Sequence, residues 1–277
     1  MRKVLVFAFI IGLVITVVCA LGAIKQFKIE QEKAKDVTTN FNKSYKESDI
    51  KALKVNFEHS NLKVKHGDKF KVTSEGSGDK FKVTSEGSNE QTKIDAQINK
   101  GELKLTDNNQ TSNINLSFLG IKKNDVVITV PKRLEGMKLD SSNGSIELNN
   151  IEAEQAYVYS DVGELTIKNS KYNKLKASSD VASILLEKTM YNQGEFETDT
   201  GQLTIEDTPI DKPTNIDTDT GDVVLDYGKL QPKNTLIDFS SDIGNLNIEN
   251  SKLKNKKIGN GENLIKIITD TGDVTIK

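Results

Sequence analysis

The chain contains 277 residues, of which 35% are hydrophobic, 6% aromatic and 28% charged, with no tryptophan. This hydrophobic content is too low for a protein with many membrane spans, and 38 basic against 40 acidic side chains give no overall attraction to nucleic acid. Cys19 is the single cysteine, and His59 and His66 are the two histidines. These residues therefore offer neither an internal disulfide nor a zinc cluster of cysteine and histidine.

An apolar segment of 21 residues, 4–24, follows Arg2 and Lys3. It carries no charge, and at about 1.5 Å per helical residue it spans a hydrocarbon core of about 30 Å. The apolar region of a cleavable signal peptide is usually shorter, about 7–15 residues. We therefore predict one uncleaved transmembrane helix at 4–24, with residues 1–3 as a cytoplasmic tip and residues 25–50 as a polar stalk.

Two other interpretations of this segment are weighed against an anchor. Ala20, Leu21 and Gly22 resemble a signal-peptidase site, at which the apolar segment would be removed. Lipidation of Cys19 is disfavoured, because valines stand at 17 and 18, where a lipoprotein signal carries small residues.

The charges that flank the span bear on its orientation. Lys25, Lys28, Lys33 and Lys35 follow it, which opposes an exported carboxyl-terminal part, but a long domain translocates largely regardless of flanking charge. We expect the amino end inside and the rest of the chain outside. The protein is then a single-pass protein of the cell membrane with an extracytoplasmic domain.

A repeat dominates residues 139–277. The residues five before, two after and four after each turn position are apolar, from Leu139, Ile146 and Leu148 in the first repeat to Ile267, Val274 and Ile276 in the last. A serine or threonine stands three residues before each turn position. The turn positions, at spacings of 19, 19, 19, 20, 23 and 28 residues, are Gly144, Gly163, Ala182, Gly201, Gly221, Gly244 and Gly272.

Two short strands and a turn account for each repeat. Apolar alternation on both sides is typical of strands with one buried face, while aspartate and glycine favour the turn between them, glycine because it accepts a positive φ. One repeat cannot bury its own apolar face, so neighbours must stack, which places Leu165 near Ile184 and then Leu203. We predict an all-β, single-domain parallel β-solenoid of about seven or more coils with 19–28 residues per coil, preceded by one transmembrane helix. A β-sandwich is the main alternative.

The residues before the regular repeats alternate less clearly. We predict that residues 51–138 are amino-terminal strands that cap the solenoid, whose regular repeats occupy 139–277. The sequence GDKFKVTSEGS occurs at 67–77 and again at 78–88. A tolerated surface insertion is the favoured interpretation of this duplication, and an added binding hairpin is the alternative. The longer spacings in the repeat are expected to be loops that leave the rod, at 227–234 and 252–262.

Several segments resemble a known family. VVITVPKRLEGMKLDSSNGSIEL (126–148), SDVGELTI (160–167) and TDTGDVVL (218–225), behind a single amino-terminal span, resemble the "putative adhesin" domain family. Among its members they resemble the LiaG-type membrane-anchored cell-envelope proteins of Gram-positive bacteria. The resemblance covers roughly residues 50–277. It implies an extracytoplasmic β-solenoid and brings no catalytic residues.

Aspartates in the turns form the one repeated polar pattern, and hard oxygen ligands of this kind would suit calcium. The repeat lacks the Gly-Gly-x-Gly-x-Asp sequence of calcium-binding β-rolls, so turn capping is the favoured interpretation and calcium the weaker one. Asp222 and Asp273 add carboxylates beside two of the turns. The weak calcium candidates are Asp161, Asp180, Asp199, Asp219, Asp242 and Asp270.

Catalysis is not expected from this sequence. Parallel β-helices host polysaccharide lyases and hydrolases, but a fold alone is weak evidence for an activity. Arg133 is interpreted as a surface residue at a strand end, and no carboxylate stands out by an apolar or aromatic setting that would suit a glycosidase. His59 and His66 lack an acidic or serine partner in the sequence. We predict no catalytic residues and no cofactor.

We therefore expect a non-enzymatic, membrane-anchored extracytoplasmic β-solenoid that acts as an adhesin or as a binding or structural protein of the cell envelope. A regulatory or scaffolding partner of an envelope-stress membrane system is the alternative, and a polysaccharide lyase or hydrolase is a less favoured one. The expected partners are the membrane, through residues 4–24, and either a cell-wall polymer or another membrane protein, without nucleic acid.

Overall fold

A computed structural model describes residues 41–58, 60–67, 70–75, 93–108, 124–131 and 133–277. The predicted anchor at 4–24, most of the predicted stalk and the second copy of the duplicated segment lie outside these residues. No helix in the described part of the chain has the length and apolar character needed to cross a membrane.

Nearly all regular structure in the described residues is β-strand, with one short 3₁₀ helix at Glu47–Asp49. The first strands are β1 Phe41–Tyr45, β2 Ala52–Phe57, β3 Ser60–His66, β4 Phe70–Glu75, β5 Lys93–Asn99, β6 Glu102–Asn108 and β7 Asn124–Val130. The middle strands are β8 Leu134–Ser141, β9 Ile146–Asn149, β10 Glu152–Val162, β11 Leu165–Lys168, β12 Lys171–Val181, β13 Ile184–Glu187, β14 Met190–Thr200 and β15 Leu203–Glu206. The last strands are β16 Thr214–Thr220, β17 Val223–Asp226, β18 Thr235–Ile243, β19 Leu246–Ile248, β20 Asn263–Thr271 and β21 Val274–Ile276.

The strands form two sheets, and each coil of the chain contributes one strand to each sheet. One sheet has the order β1-β4-β7-β3-β9-β11-β13-β15-β17-β21-β19, and the other has the order β18-β20-β16-β14-β12-β10-β8-β2-β6-β5. Within the coils every pairing between neighbours is parallel, as between β10 and β12. The predicted all-β parallel solenoid is confirmed, and nine coils lie within the described residues.

Inward-facing side chains form the predicted columns. Leu165 pairs in register with Ile184, which pairs with Leu203, and each of the three is at most 1% exposed. The residues five before the turn positions are also buried, except Phe239, which is half-buried because its coil lies at the end of the rod. The stacked columns form one continuous hydrophobic core.

The last two coils do not stack in chain order. The β20/β21 coil pairs with β16 and β17 on one side and with β18 and β19 on the other. The chain therefore builds the outermost coil at 235–248 and then returns to fill the position beneath it. The 249–262 connection, the longest between the later coils, makes this return possible, and its Leu253 is completely buried.

The first coil is placed in the same way. The β2/β3 coil lies between the β6/β7 coil and the β8/β9 coil, so β6 and β7 lie outside strands that precede them in the chain. Beyond the β6/β7 coil, β5 pairs antiparallel with β6, and β4 and β1 continue the other sheet in antiparallel pairing. Both the first and the last coil of the described chain therefore have a neighbour on each face.

Close approach between coils explains the repeated glycine at the turn. A Cβ atom added to Gly221 would overlap the carbonyl oxygen of Gly201 in the next coil, and one added to Gly272 would overlap that of Gly221. The predicted positive φ occurs at these three glycines and at Gly163, but not at Gly144 or Gly244. Contact between backbones, rather than φ alone, is therefore common to the six glycines of this corner, whereas the seventh turn position accommodates the Cβ of Ala182.

Candidate functional site

Three lysines form a column on the outer face of the ten-stranded sheet. Lys104 on β6 is in register with Lys54 on β2, which is in register with Lys138 on β8. Their neighbours in the strands are buried apolar residues, so alternation along each strand directs these lysines outward. Beyond the lysine column, the same row of outward positions continues with Tyr157 on β10 and Lys176 on β12.

Several other lysines on the rod have carboxylate partners. Lys176 lies 2.5 Å from Glu195 and 2.8 Å from Glu197, and Lys63 lies 2.7 Å from Glu147. Hydrogen bonds to the two glutamates raise the pKa of Lys176. Among the described residues, the three lysines of the column form no ion pair, so their ammonium groups stand side by side without a carboxylate in direct contact.

The borders of the column are small or polar. Ala52 and Gly136 occupy the next outward position toward the strand starts, beside the carboxylate of Glu102. A shallow depression of about 370 Å³ opens there, and its lining includes Ala52, Glu102 and the Lys51–Glu135 ion pair. Asp140 stands two residues beyond Lys138 on the other side. The column therefore lies on an open surface that a long ligand can reach.

Aromatic rings adjoin the column at Tyr157 and Tyr159. Tyr157 is 37% exposed, and the Nζ atom of Lys174 lies 6.0 Å from its ring centroid. The hydroxyl of Tyr159 donates to Asp180 at 2.9 Å, and hydrogen bonds to Asp161 and Asp180 raise its pKa. The exposed ring next to Lys138 can pack against a sugar or polyol, while the charges hold an anionic group.

The distribution of charge along the chain favours anion binding at the end of the rod that carries the lysine column. Residues 1–150 contain 24 basic and 18 acidic side chains, whereas residues 151–277 contain 14 basic and 22 acidic ones. The unpaired lysines therefore lie in the basic half of the chain, and the other half repels anions.

The turn aspartates lie along one corner of the solenoid. Asp161 is half-buried, and the other five calcium candidates are exposed. Along the rod, Asp270 precedes Asp242, because the β20/β21 coil lies beneath the β18/β19 coil. In the part of the chain that the structure describes, no group of three or more histidine, cysteine, aspartate or glutamate side chains is arranged to hold a metal ion.

Two carboxylates beside the turns link neighbouring coils. Asp222 accepts the backbone N–H of Asp273 at 2.9 Å, and Asp273 accepts that of Asn245 at 2.8 Å. These contacts join three coils at one corner.

The other residues considered for catalysis are Arg133 and the two histidines. Arg133 forms an ion pair with Glu154 on the surface, and His66 is exposed at the end of β3. His59 lies outside the described residues.

The lysine column was not predicted, although it leaves a local signal in the sequence. Each lysine is flanked by two apolar residues, in Leu53-Lys54-Val55, Leu103-Lys104-Leu105 and Met137-Lys138-Leu139. This alternation places each lysine on an outer face, but 50 and 34 residues separate them along the chain. Their alignment depends on the placement of the first coil between the other two.

A family model matches residues 29–277 and is described as Toastrack DUF4097. The chain belongs to this family. The match includes the 126–148 stretch, so the resemblance to the "putative adhesin" domain family is confirmed. Toastrack DUF4097 is a domain of unknown function, and membership assigns no ligand to the lysine column.

Solved structures similar to this Toastrack chain have low sequence identity to it. A "putative adhesin" from Parabacteroides distasonis has a TM-score of 0.45 and 12% identity, over 88% of this chain and 98% of that one. A "putative cell adhesion protein" from Clostridium sporogenes has a TM-score of 0.39 and 14% identity, over 87% and 99%. A "Putative lipid binding protein" from Parabacteroides distasonis has a TM-score of 0.44 and 10% identity, over 86% and 97%. No curated protein sequence matches the chain significantly.

Proposed function

We propose that this Toastrack chain is a non-enzymatic, membrane-anchored protein of the cell envelope whose lysine column binds a linear polyanion. The supporting observation is the register of Lys104, Lys54 and Lys138 on three adjacent strands without ion-pair partners in the described residues. The ligand class that fits is a cell-wall polymer with phosphate or carboxylate groups along its length.

The spacing of the column favours a polymer over a single small anion. Neighbouring strands lie about 4.8 Å apart, so the Cα atoms of the three lysines extend over about 10 Å. A chain of anionic groups can contact all three ammonium groups at once, and each further contact is then intramolecular. Bringing the anions in also relieves the repulsion among the lysines and releases counterions to solution.

The predicted anchor supports a ligand near the membrane. The apolar run at 4–24 precedes β2 by fewer than 30 residues, and β2 carries the central lysine of the column. A rod tethered in this way keeps the lysine column close to the outer surface of the cell membrane, within reach of envelope polymers. The exposed ring of Tyr157 adds a surface for the sugar or polyol part of such a polymer.

A binding experiment on the full chain tests this proposal. The variant Lys54→Gln/Lys104→Gln/Lys138→Gln is compared with Lys229→Gln/Lys252→Gln/Lys254→Gln, which removes three exposed lysines from loops near the other end of the rod. The probes are polyglycerol phosphate, inorganic polyphosphate and neutral dextran, each titrated at several salt concentrations.

We expect the column variant to bind the two polyanions about 10- to 100-fold more weakly, since three surface charge contacts contribute up to about 1 kcal/mol each. The salt dependence of binding should become shallower in this variant only. Equal binding by the two triple variants, or equal binding of dextran and polyanions by the unmodified chain, would contradict the proposal.

A further inference from the structure

The outermost coil, β18 and β19, has an open edge in both sheets. β18 pairs with β20, and β19 with β21, but neither has a strand on its other side among the described residues. Only the start of β18 is covered, where the N–H of Ile237 donates to Lys256 at 2.7 Å and that of Ile258 donates to Thr235 at 2.9 Å. The edge that remains, at residues 238–243 and 246–248, is open to a further strand.

Core positions at this end are incompletely covered. Phe239, Leu246 and Ile248 are half-buried, whereas the equivalent Ile267, Val274 and Ile276 in the coil beneath are 0% exposed. Ile243 at the corner is 69% exposed. At the other end of the rod, the antiparallel strands β5, β4 and β1 continue the sheets beyond the β6/β7 coil. An open edge with apolar core positions beside it is a surface on which another strand can pair.

We infer that this end of the rod pairs with the same end of a second copy of the chain, through antiparallel β18–β18 and β19–β19 contacts. The sequence of β18 is self-complementary when the two-fold axis passes through Ser241. Asp242 then faces Ser240 of the second copy, and the strand positions of Phe239 and Ile243 are opposite each other in register. Asp238 faces Gly244, so no carboxylate of β18 stands opposite another carboxylate.

The same axis suits β19. Ser241 and Asn247 stand three residues on either side of Gly244, where the coil folds back on itself, so an axis normal to the sheets at Ser241 also passes beside Asn247. Leu246 of one copy then faces Ile248 of the other. Leu246 and Ile248 occupy inward-facing core positions, so their pairing continues the hydrophobic core across the interface.

A two-fold contact of this kind closes at two copies. Each open edge is used by the identical edge of its partner, so pairing removes the exposed edges without creating a fibre. The two rods extend in opposite directions from the interface, with their lysine columns at the outer ends. The pairing is independent of the proposed polyanion site, which lies at the other end of each rod.

Exposed side chains of β18 allow a direct test. The variant Ser240→Cys/Asp242→Cys, in a full chain that also carries Cys19→Ser, should form disulfide-linked dimers under mild oxidation. Residues 240 and 242 of two copies would form non-hydrogen-bonded pairs with Cα atoms about 4.5 Å apart, within the range of a disulfide. The matched control is Ser178→Cys/Asp180→Cys, at the same positions of a coil in the middle of the rod, and it should remain monomeric.

A second variant tests the energetics without a crosslink. Ile243→Asp adds a carboxylate beside Asp242 on both paired edges, and the added like charge should weaken dimerisation of the full chain about 10-fold in sedimentation velocity. Val181→Asp changes a residue that is 54% exposed at the same corner of a middle coil and should leave dimerisation unchanged. Thermal unfolding should be similar for both variants.

Three results would overturn the inference. The first is a Ser240→Cys/Asp242→Cys variant that forms no more linked dimer than the Ser178→Cys/Asp180→Cys control. The second is an unmodified full chain that stays monomeric at concentrations of about 100 μM, and the third is equal dimerisation of Ile243→Asp and the unmodified chain.

Discussion

The middle coils of the rod and its two ends are built from the same unit but are ordered differently. From β8 to β17 each coil stacks on the one before it, so position along the chain and position along the rod agree. At the ends they disagree: residues 52–66 and 263–276 form the second coil from each end, and later or earlier residues form the coil outside them. The pattern of side chains within a coil therefore does not determine which coil lies next to it.

This arrangement protects the first and last coils of the described residues. In a solenoid stacked strictly in chain order, the first and last coils each contact one neighbour and open first. Here both have two neighbours, and the outermost coil at 235–248 is held by connections at both of its ends. Unfolding from the carboxyl end must therefore separate two interfaces rather than one.

Glycine substitutions should have the largest effect on stability, and the loss should be similar in a middle coil and in the inserted coil. Gly221→Ala and Gly272→Ala each place a methyl group against the carbonyl oxygen of a neighbouring coil, and each should lower the free energy of unfolding by at least about 3 kcal/mol. Ala182→Gly, at the same corner, should cost at most about 1 kcal/mol. Urea denaturation measures the free energy of unfolding of all three variants. A Gly272→Ala variant as stable as the unmodified chain would mean that no neighbouring coil lies against residue 272.

Core truncations should separate the inserted coil from the outermost one. Ile267→Ala and Ile216→Ala remove side chains that are at most 1% exposed and should each cost about 2–5 kcal/mol. Leu246→Ala in the half-buried outer coil should cost less, about 1 kcal/mol. The same denaturation experiment provides the ranking. A larger cost at Leu246 than at Ile267 would mean that the coil of Leu246, rather than that of Ile267, is the inserted one.

Asp211 lies where the coil order changes. Its carboxylate accepts hydrogen bonds from the backbone N–H groups of Lys233 and Asn234, from the Thr235 hydroxyl at 2.6 Å and from Asn263 at 3.2 Å. It therefore joins the starts of β18 and β20. Asp211→Ala should cost about 2 kcal/mol because it leaves these donors without their acceptor, while Asp226→Ala, which loses one bond to the Gly228 N–H, should cost less than about 1 kcal/mol. Urea denaturation of the two variants measures the difference, and equal costs would contradict this role of Asp211.

The smallest expected effect is on pH dependence. Burial alone would raise the pKa of Asp211, but its four hydrogen bonds outweigh burial and hold the pKa below the ordinary value. Its contribution to stability is thus present above the unfolded pKa of about 3.9 and is lost as pH falls through the lower folded value. Asp211→Asn should reduce the acid sensitivity of unfolding by about 1 kcal/mol or less. Identical acid titrations of Asp211→Asn and the unmodified chain would contradict the lowered pKa.

The repeat in the sequence was sufficient to predict the coils, their inward columns and the turn with glycine. A second corner lies six residues after successive turn positions, where four residues adopt positive φ: Asn150, Asn169, Lys188 and Asp207. Asparagine and aspartate accept this conformation more readily than most residues, so three of the four positions carried a signal in the sequence. The order of the end coils could not be predicted, since every coil offers the same apolar face to any neighbour. The lysine column depends on that order and was therefore missed as well.

One disulfide experiment tests the insertion of the last coil most directly. Asn215 is in register with Lys266, and Lys266 is in register with Asp238, so one strand separates Asn215 from Asp238. Adjacent strands place Cα atoms about 4.8 Å apart, within disulfide range, whereas strands two apart lie about 9.6 Å apart, beyond it. In a chain with Cys19→Ser, Asn215→Cys/Lys266→Cys should therefore oxidise to an internal disulfide, and Asn215→Cys/Asp238→Cys should not. The reverse outcome would show that the coils follow chain order to the end of the rod and would contradict the architecture described above.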